Sequence, residues 1–204
     1  MAVYPFRGVM RWLVLPVLLT TAGALDALIA WGLQSQGRLR DLPVWIIPDA
    51  NHALAIGFAL AAGRHPAVAL ALAFPLGLVS PWANRGIIFA LPLGISGIET
   101  SWLATVARAL GAVLFVGTHH LYLSARRKSR AWTVPVVLMY GGVGVFSALL
   151  LEWAYREELR IAENLRGGVQ SAVLSWAALA VAARLADRMS ERAAPAPTPP
   201  APNA

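Results

Sequence analysis

The sequence contains several apolar runs that are long enough, as α-helices, to cross a lipid bilayer. The clearest is residues 131–151, which holds no charged residue and directly follows the basic segment 126–130. A helix needs about 20 mostly apolar residues to cross roughly 30 Å of hydrocarbon, where its backbone groups must bond to one another. This run therefore predicts a membrane-spanning α-helix.

Three more runs meet the same criterion with at most one interrupting charge. They are residues 12–33 with Asp26, residues 100–124 with Arg108, and residues 167–183. The hydrophobic share of 58% and the charged share of 13% agree, because soluble domains average about 45–50% and 25%. The sequence predicts an all-α, polytopic transmembrane helix bundle, formed as one domain by residues 1–192.

The region between residues 43 and 98 is apolar but is cut by turn-forming residues into shorter pieces. The predicted pieces are residues 43–63, 66–80 and 86–98, with turns at 63–66 and 80–85. The last piece has 13 residues, roughly 20 Å as a helix, which is too short to cross. We therefore predict about six spans and a re-entrant or broken segment near 86–98. Seven spans is the alternative.

Basic residues around the spans predict an orientation. Short loops rich in Lys and Arg stay in the cytoplasm, which places segment 126–130 there and, with it, the C-terminal side of the last span. We expect an integral protein of a bacterial cytoplasmic (inner) membrane with a cytoplasmic C-terminus. Residues 152–166 are charged, with Glu152 and Arg156 four residues apart, and predict a short helix outside the membrane. Residues 193–204 are rich in Pro and Ala and predict a disordered tail.

The N-terminal segment permits two interpretations. Arg7 and Arg11 precede an apolar run that contains Ala22-Gly23-Ala24, which resembles the cleavage site of a signal peptide. The run nevertheless stays apolar to Leu33, as an uncleaved anchor would. We favour the uncleaved, cytoplasmic N-terminus.

Five ionisable residues in or beside the predicted spans are the candidate ligand-binding residues. They are Asp26, Asp49, His52, Glu99 and Arg108. A charge at membrane depth is costly, so it normally pairs or faces a water-filled cavity. Counting from span ends at helical rise places Asp26, Asp49 and Arg108 roughly 9–13 Å below the extracytoplasmic surface. We expect Arg108 to pair with Asp26 or Asp49, with His52 one helical turn from Asp49.

Small residues recur on the last two predicted spans. They are Gly141, Gly142, Gly144 and Ala148 on one, and Gly168, Ser171 and Ser175 on the other. Small side chains let transmembrane helices approach closely. We interpret these residues as helix-packing positions rather than as functional ones.

Several kinds of chemistry are excluded or not indicated. The chain has no cysteine, which excludes disulfides and thiolate ligands. The adjacent His119 and His120 point about 100° apart on a helix and lie at a different predicted depth from His52, so no metal and no cofactor is predicted. The net charge of +7 is spread over short loops, which is typical of membrane topology and not of nucleic-acid binding. The expected partners are membrane lipids, and further membrane subunits or a homo-oligomer are open alternatives.

Three functional classes fit these features. Buried charges beside a broken apolar region are typical of transporters, so the leading prediction is a small transporter or membrane-embedded ligand-binding subunit. An intramembrane enzyme acting on a lipid or isoprenoid is the alternative, with Asp26, Asp49, His52 or Glu99 as acid and base. A non-catalytic assembly subunit is the second alternative. An open cavity lined by these residues would favour the first two classes, and a closed, fully paired cluster the third.

Overall fold

Six long α-helices form the part of the chain that the computed structural model describes. The described residues are 9–34, 39, 42–63, 65–90, 101–128, 130–155 and 161–192. The helices are α1 (Val9–Gln34), α2 (Leu42–Ala62), α3 (Pro66–Ala90), α4 (Trp102–Lys128), α5 (Arg130–Tyr155) and α6 (Ile161–Arg192). All six are long and apolar enough to cross a bilayer. The predicted all-α bundle of about six spans is confirmed for the described residues, and the chain is an integral membrane protein.

The turn predicted at residues 80–85 is wrong, because α3 continues through it for 25 residues despite two internal prolines. A proline in a helix deprives the carbonyl four residues earlier of its backbone donor. For Pro81 that carbonyl belongs to Gly77, and the Ser80 hydroxyl donates a hydrogen bond to it at 3.3 Å. The Ser80 hydroxyl thus replaces the backbone donor that Pro81 lacks, and the Gly77 carbonyl remains hydrogen-bonded.

The prediction of a re-entrant or broken segment near 86–98 is wrong for its first five residues, because α3 continues through them. Residues 86–90 are the last turn of α3 and not the start of a separate piece. Residues 91–98 lie outside the described residues, as does the predicted tail at 193–204.

The six helices form a ring. Each helix packs against the next along the chain, and α6 packs against α1. α2 also contacts α4 directly, so α3 lies on the outside of that contact. The remaining helices, α1, α2, α4, α5 and α6, enclose the interior.

Glycines allow the closest helix approaches. A Cβ atom at Gly57 of α2 would lie 2.6 Å from the Cα atom of Pro16 of α1, so glycine allows these two helices to pack closely. A Cβ atom at Gly168 would lie 2.5 Å from the backbone nitrogen of Val145, which joins α6 to α5. The packing role predicted for Gly168 is therefore present in the structure. It is absent at Gly141 and Gly142, where an added Cβ would meet nothing within 4 Å.

Aromatic side chains fill one half of the bundle. His119 is fully buried on α4 and shares a 2.7 Å hydrogen bond with the Tyr140 hydroxyl of α5. Tyr122 packs against both of these rings and against Trp176 of α6. Phe115 covers the edge of this cluster by packing on Tyr140 at 5.3 Å between ring centroids. The open space of the bundle lies on the other side of Phe115.

Candidate ligand-binding cavity

A cavity of about 290 Å³ lies between α1, α2, α4, α5 and α6. This volume is near the lower end of the range for small-molecule sites, about 300–1,000 Å³. Its lining includes charged, hydroxyl and apolar side chains, and among the described residues none from α3 takes part. We call this space the polar cavity.

Four of the five candidate residues line the polar cavity. They are Asp26, Asp49, His52 and Arg108. They meet because helices joined by short connections run antiparallel, so the end of α1 and the starts of α2, α4 and α6 lie together. The fifth candidate, Glu99, lies outside the described residues.

Arg108 pairs with Asp49 rather than with Asp26. The guanidinium nitrogen Nη2 lies 3.9 Å from the carboxylate oxygen Oδ1 of Asp49. The Arg108 side chain is only 13% exposed, whereas that of Asp49 is 41% exposed. The pair therefore has one partner enclosed in the bundle and one partner open to the cavity.

Asp26 is held by a neutral amide. Gln170 Nε2 on α6 donates to the Asp26 carboxylate oxygen Oδ1 at 2.7 Å and to its backbone carbonyl at 3.3 Å. Gly23, one turn earlier on α1, lets α2 approach, since a Cβ there would lie 2.6 Å from the Asp49 carbonyl oxygen. The glycine thereby brings the two acidic residues to the same cavity.

His52 is supported from behind by α3. Its Nδ1 atom lies 3.5 Å from the hydroxyl of Ser80, which is 3% exposed. The neighbouring Asn51 donates to the Asn84 side-chain oxygen at 2.8 Å and to the Ser80 carbonyl at 3.2 Å. These bonds fix the rotation of α2 against α3, and with it the direction of the imidazole.

The contribution of α6 to the polar cavity was not predicted from the sequence. Glu163, Arg166, Gln170 and Ser171 all line the cavity. The charged stretch 152–166 predicts a short helix outside the membrane, but its described residues instead continue α5 and begin α6. A signal was present, because positions 163, 166 and 170 follow the three- and four-residue steps of one helix face.

Ser171, Ser175 and Ala148 are interpreted from the sequence as helix-packing positions. All three, like Gly168, also lie in the cavity lining. Small hydroxyl side chains at these points leave volume and supply hydrogen-bonding groups.

The polar cavity can hold a small molecule that has both a charged and an apolar part. Its apolar lining includes Ala53, Ile56, Phe115 and Val143. Within the described ranges, no group of three or more His, Asp or Glu side chains could hold a metal ion.

Comparison with known proteins adds no assignment to this geometry. No family model matches the sequence, and no curated protein or solved structure matches it either.

Proposed function

We propose that the protein is a small transporter or a membrane-embedded ligand-binding subunit, whose ligand occupies the polar cavity. Clusters of ionisable groups at membrane depth are expensive to maintain and mark ligand or ion pathways. In the proposed orientation, with the C-terminus in the cytoplasm of a bacterial cell, the cavity faces the extracytoplasmic side. The two functional classes differ in whether the ligand is released on the other side.

The exposure of Asp49 is the observation that carries this proposal. In an assembly subunit, buried charges serve only to hold helices together, and they are expected to be closed and fully paired. Here the Asp49 side chain keeps 41% of its surface open although its partner Arg108 keeps only 13%. Because the Asp49 carboxylate is partly open, it can bind a ligand while it remains close to Arg108.

The way in which the two aspartates are held also bears on the enzyme alternative. Intramembrane acid and base catalysis needs a positioned proton donor and acceptor near one reacting atom. Asp49 and Asp26 are instead held by a guanidinium group and an amide. This arrangement favours binding over proton transfer.

Native purification followed by mass spectrometry of bound small molecules tests the proposal. We expect the parent to retain a ligand, and the double variant Arg108→Ala/Asp49→Asn to fold but to lose it. Arg184→Ala/Asp187→Asn is the matched control, because both residues are exposed on α6 away from the cavity.

Equal ligand content in the parent and both double variants would contradict the proposal. A partner subunit recovered with a ligand-free parent would favour the assembly subunit. A chemically altered lipid or isoprenoid among the recovered molecules would favour the intramembrane enzyme.

A further inference from the structure

We infer that the polar cavity selects a small organic cation, a protonated or quaternary amine with a short apolar body, and that Asp26 is its counter-ion. This inference rests on the proposed function and narrows it to one class of ligand. It follows from the balance of charges around the cavity and from the way each acidic group is held.

The charges that line the cavity do not cancel. Three carboxylates, those of Asp26, Asp49 and Glu163, face the two guanidinium groups of Arg108 and Arg166. His52 adds an imidazole, a side chain that is mostly neutral at pH 7 in water. α5 contributes only uncharged residues to the described lining, and its nearby Glu152 accepts a hydrogen bond from Asn164. The described lining therefore carries one excess negative charge.

The excess charge is assigned to Asp26 by the positions of the other groups. Asp49 has Arg108 beside it. Glu163 and Arg166 are both exposed and lie three residues apart at the start of α6, where side chains at this spacing are neighbours. Among the residues that the structure describes, Asp26 makes no ion pair and is bonded to the neutral Gln170.

A carboxylate in this position needs a positive charge. Gln170 fixes one carboxylate oxygen, and the Ser171 hydroxyl lies beside the same group. These neutral donors orient the carboxylate but do not neutralise its negative charge. An uncompensated charge at membrane depth is costly, so a cation that enters the cavity gains more from Asp26 than a neutral or anionic molecule can.

The rest of the cavity sets the shape of the ligand. Ala30 lies one helical turn after Asp26 on α1, and Ala53 lies beside Gly23. Ile56 and Phe115 form the apolar wall towards the aromatic half of the bundle. A volume of about 290 Å³ accommodates a chain of a few methylene groups beside the charged group. The ligand is thus an amphiphilic amine and not a bare metal ion.

Three probes with one apolar body and different charges test the inference. Hexylammonium, hexanoate and hexanol are titrated against the full chain in lipid nanodiscs, and the shift in unfolding temperature is measured, since a ligand that binds the native state raises it. We expect hexylammonium to bind about tenfold more tightly than hexanol, because a charge-assisted contact replaces a neutral one. Hexanoate should not bind.

Two matched variants locate the effect. Asp26→Asn keeps the shape and the acceptor for Gln170, and it should remove the preference for hexylammonium. Asp187→Asn makes the same change on the exposed, opposite part of α6 and should behave like the parent. If Asp26→Asn does not fold, the ranking of the three probes on the parent decides the question.

The outcomes separate this inference from the proposed function. Tighter binding of hexanoate or hexanol than of hexylammonium would overturn the inference and leave a ligand site in place. An unchanged preference in Asp26→Asn would overturn the role of Asp26. If none of the three probes shifts the unfolding temperature, the inference fails, and ligand retention after native purification decides the proposed function separately.

Discussion

We expect Arg108→Ala to lower the free energy of unfolding by roughly 2–4 kcal/mol, and the added change Asp49→Asn to restore most of that loss. The single substitution leaves Asp49 without its cation, and an unpaired charge costs more than a missing pair. We place the loss between the values for fully buried and exposed pairs because Asp49 is 41% exposed. Thermal unfolding in nanodiscs measures all three proteins.

The control for this prediction is a second double variant, in which Asp26 and not Asp49 is changed. Arg108→Ala combined with Asp26→Asn should recover little stability, because Gln170 and not Arg108 holds Asp26. Equal recovery with Asp26→Asn would show that the pairing described above is wrong. An Arg108→Ala protein that melts like the parent would contradict the existence of a buried polar site.

Gly168→Ala should destabilise the α5–α6 contact by about 1–3 kcal/mol, the usual cost of overpacking a tight contact. The new methyl group would lie 2.5 Å from the nitrogen and 2.6 Å from the Cα of Val145. These are backbone atoms, which cannot rotate away as a side chain can. Because Gly168 also lines the polar cavity, we expect ligand retention to fall together with the unfolding temperature.

Gly142→Ala is the matched substitution without a collision. An added Cβ there would meet nothing within 4 Å, and alanine in a helix is favoured over glycine by roughly 0.5–1 kcal/mol. This variant should be as stable as the parent or slightly more stable. If Gly142→Ala and Gly168→Ala melt alike, close glycine packing does not hold α5 against α6.

Hydropathy and depth were enough to predict the bundle and much of the cavity. A charged side chain within an apolar span must face the bundle interior. Asp26, Asp49 and Arg108 could therefore be assigned to the interior, and counting from the span ends assigned them to a similar depth. The choice of Asp49 over Asp26 as the partner of Arg108 could not be made in this way. It depends on the contact that Gln170 makes with Asp26 across two helices.

The errors arose where a local rule was overridden by a tertiary or side-chain contact. Pro81 and its polar neighbours are typical of a turn, yet the Ser80 hydroxyl completes the helix there. Glu163 and Arg166 are typical of a surface helix, yet α6 starts early enough to place them in the cavity lining. Both cases required knowledge of which groups satisfy the backbone and where a helix begins.

Cysteine accessibility on α5 tests most directly whether the polar cavity is open to a ligand. The chain has no native cysteine, so single cysteines at Ser147 and Phe146 can be compared at nearly the same depth. Ser147 lines the cavity, whereas Phe146 is 52% exposed on the outside of the bundle and does not line it. A membrane-impermeant methanethiosulfonate that carries a trimethylammonium group is added to the extracytoplasmic side of intact cells. The account predicts that Ser147→Cys reacts and that Phe146→Cys, which faces lipid, does not. Reaction of neither cysteine, or equal reaction of both, would contradict it.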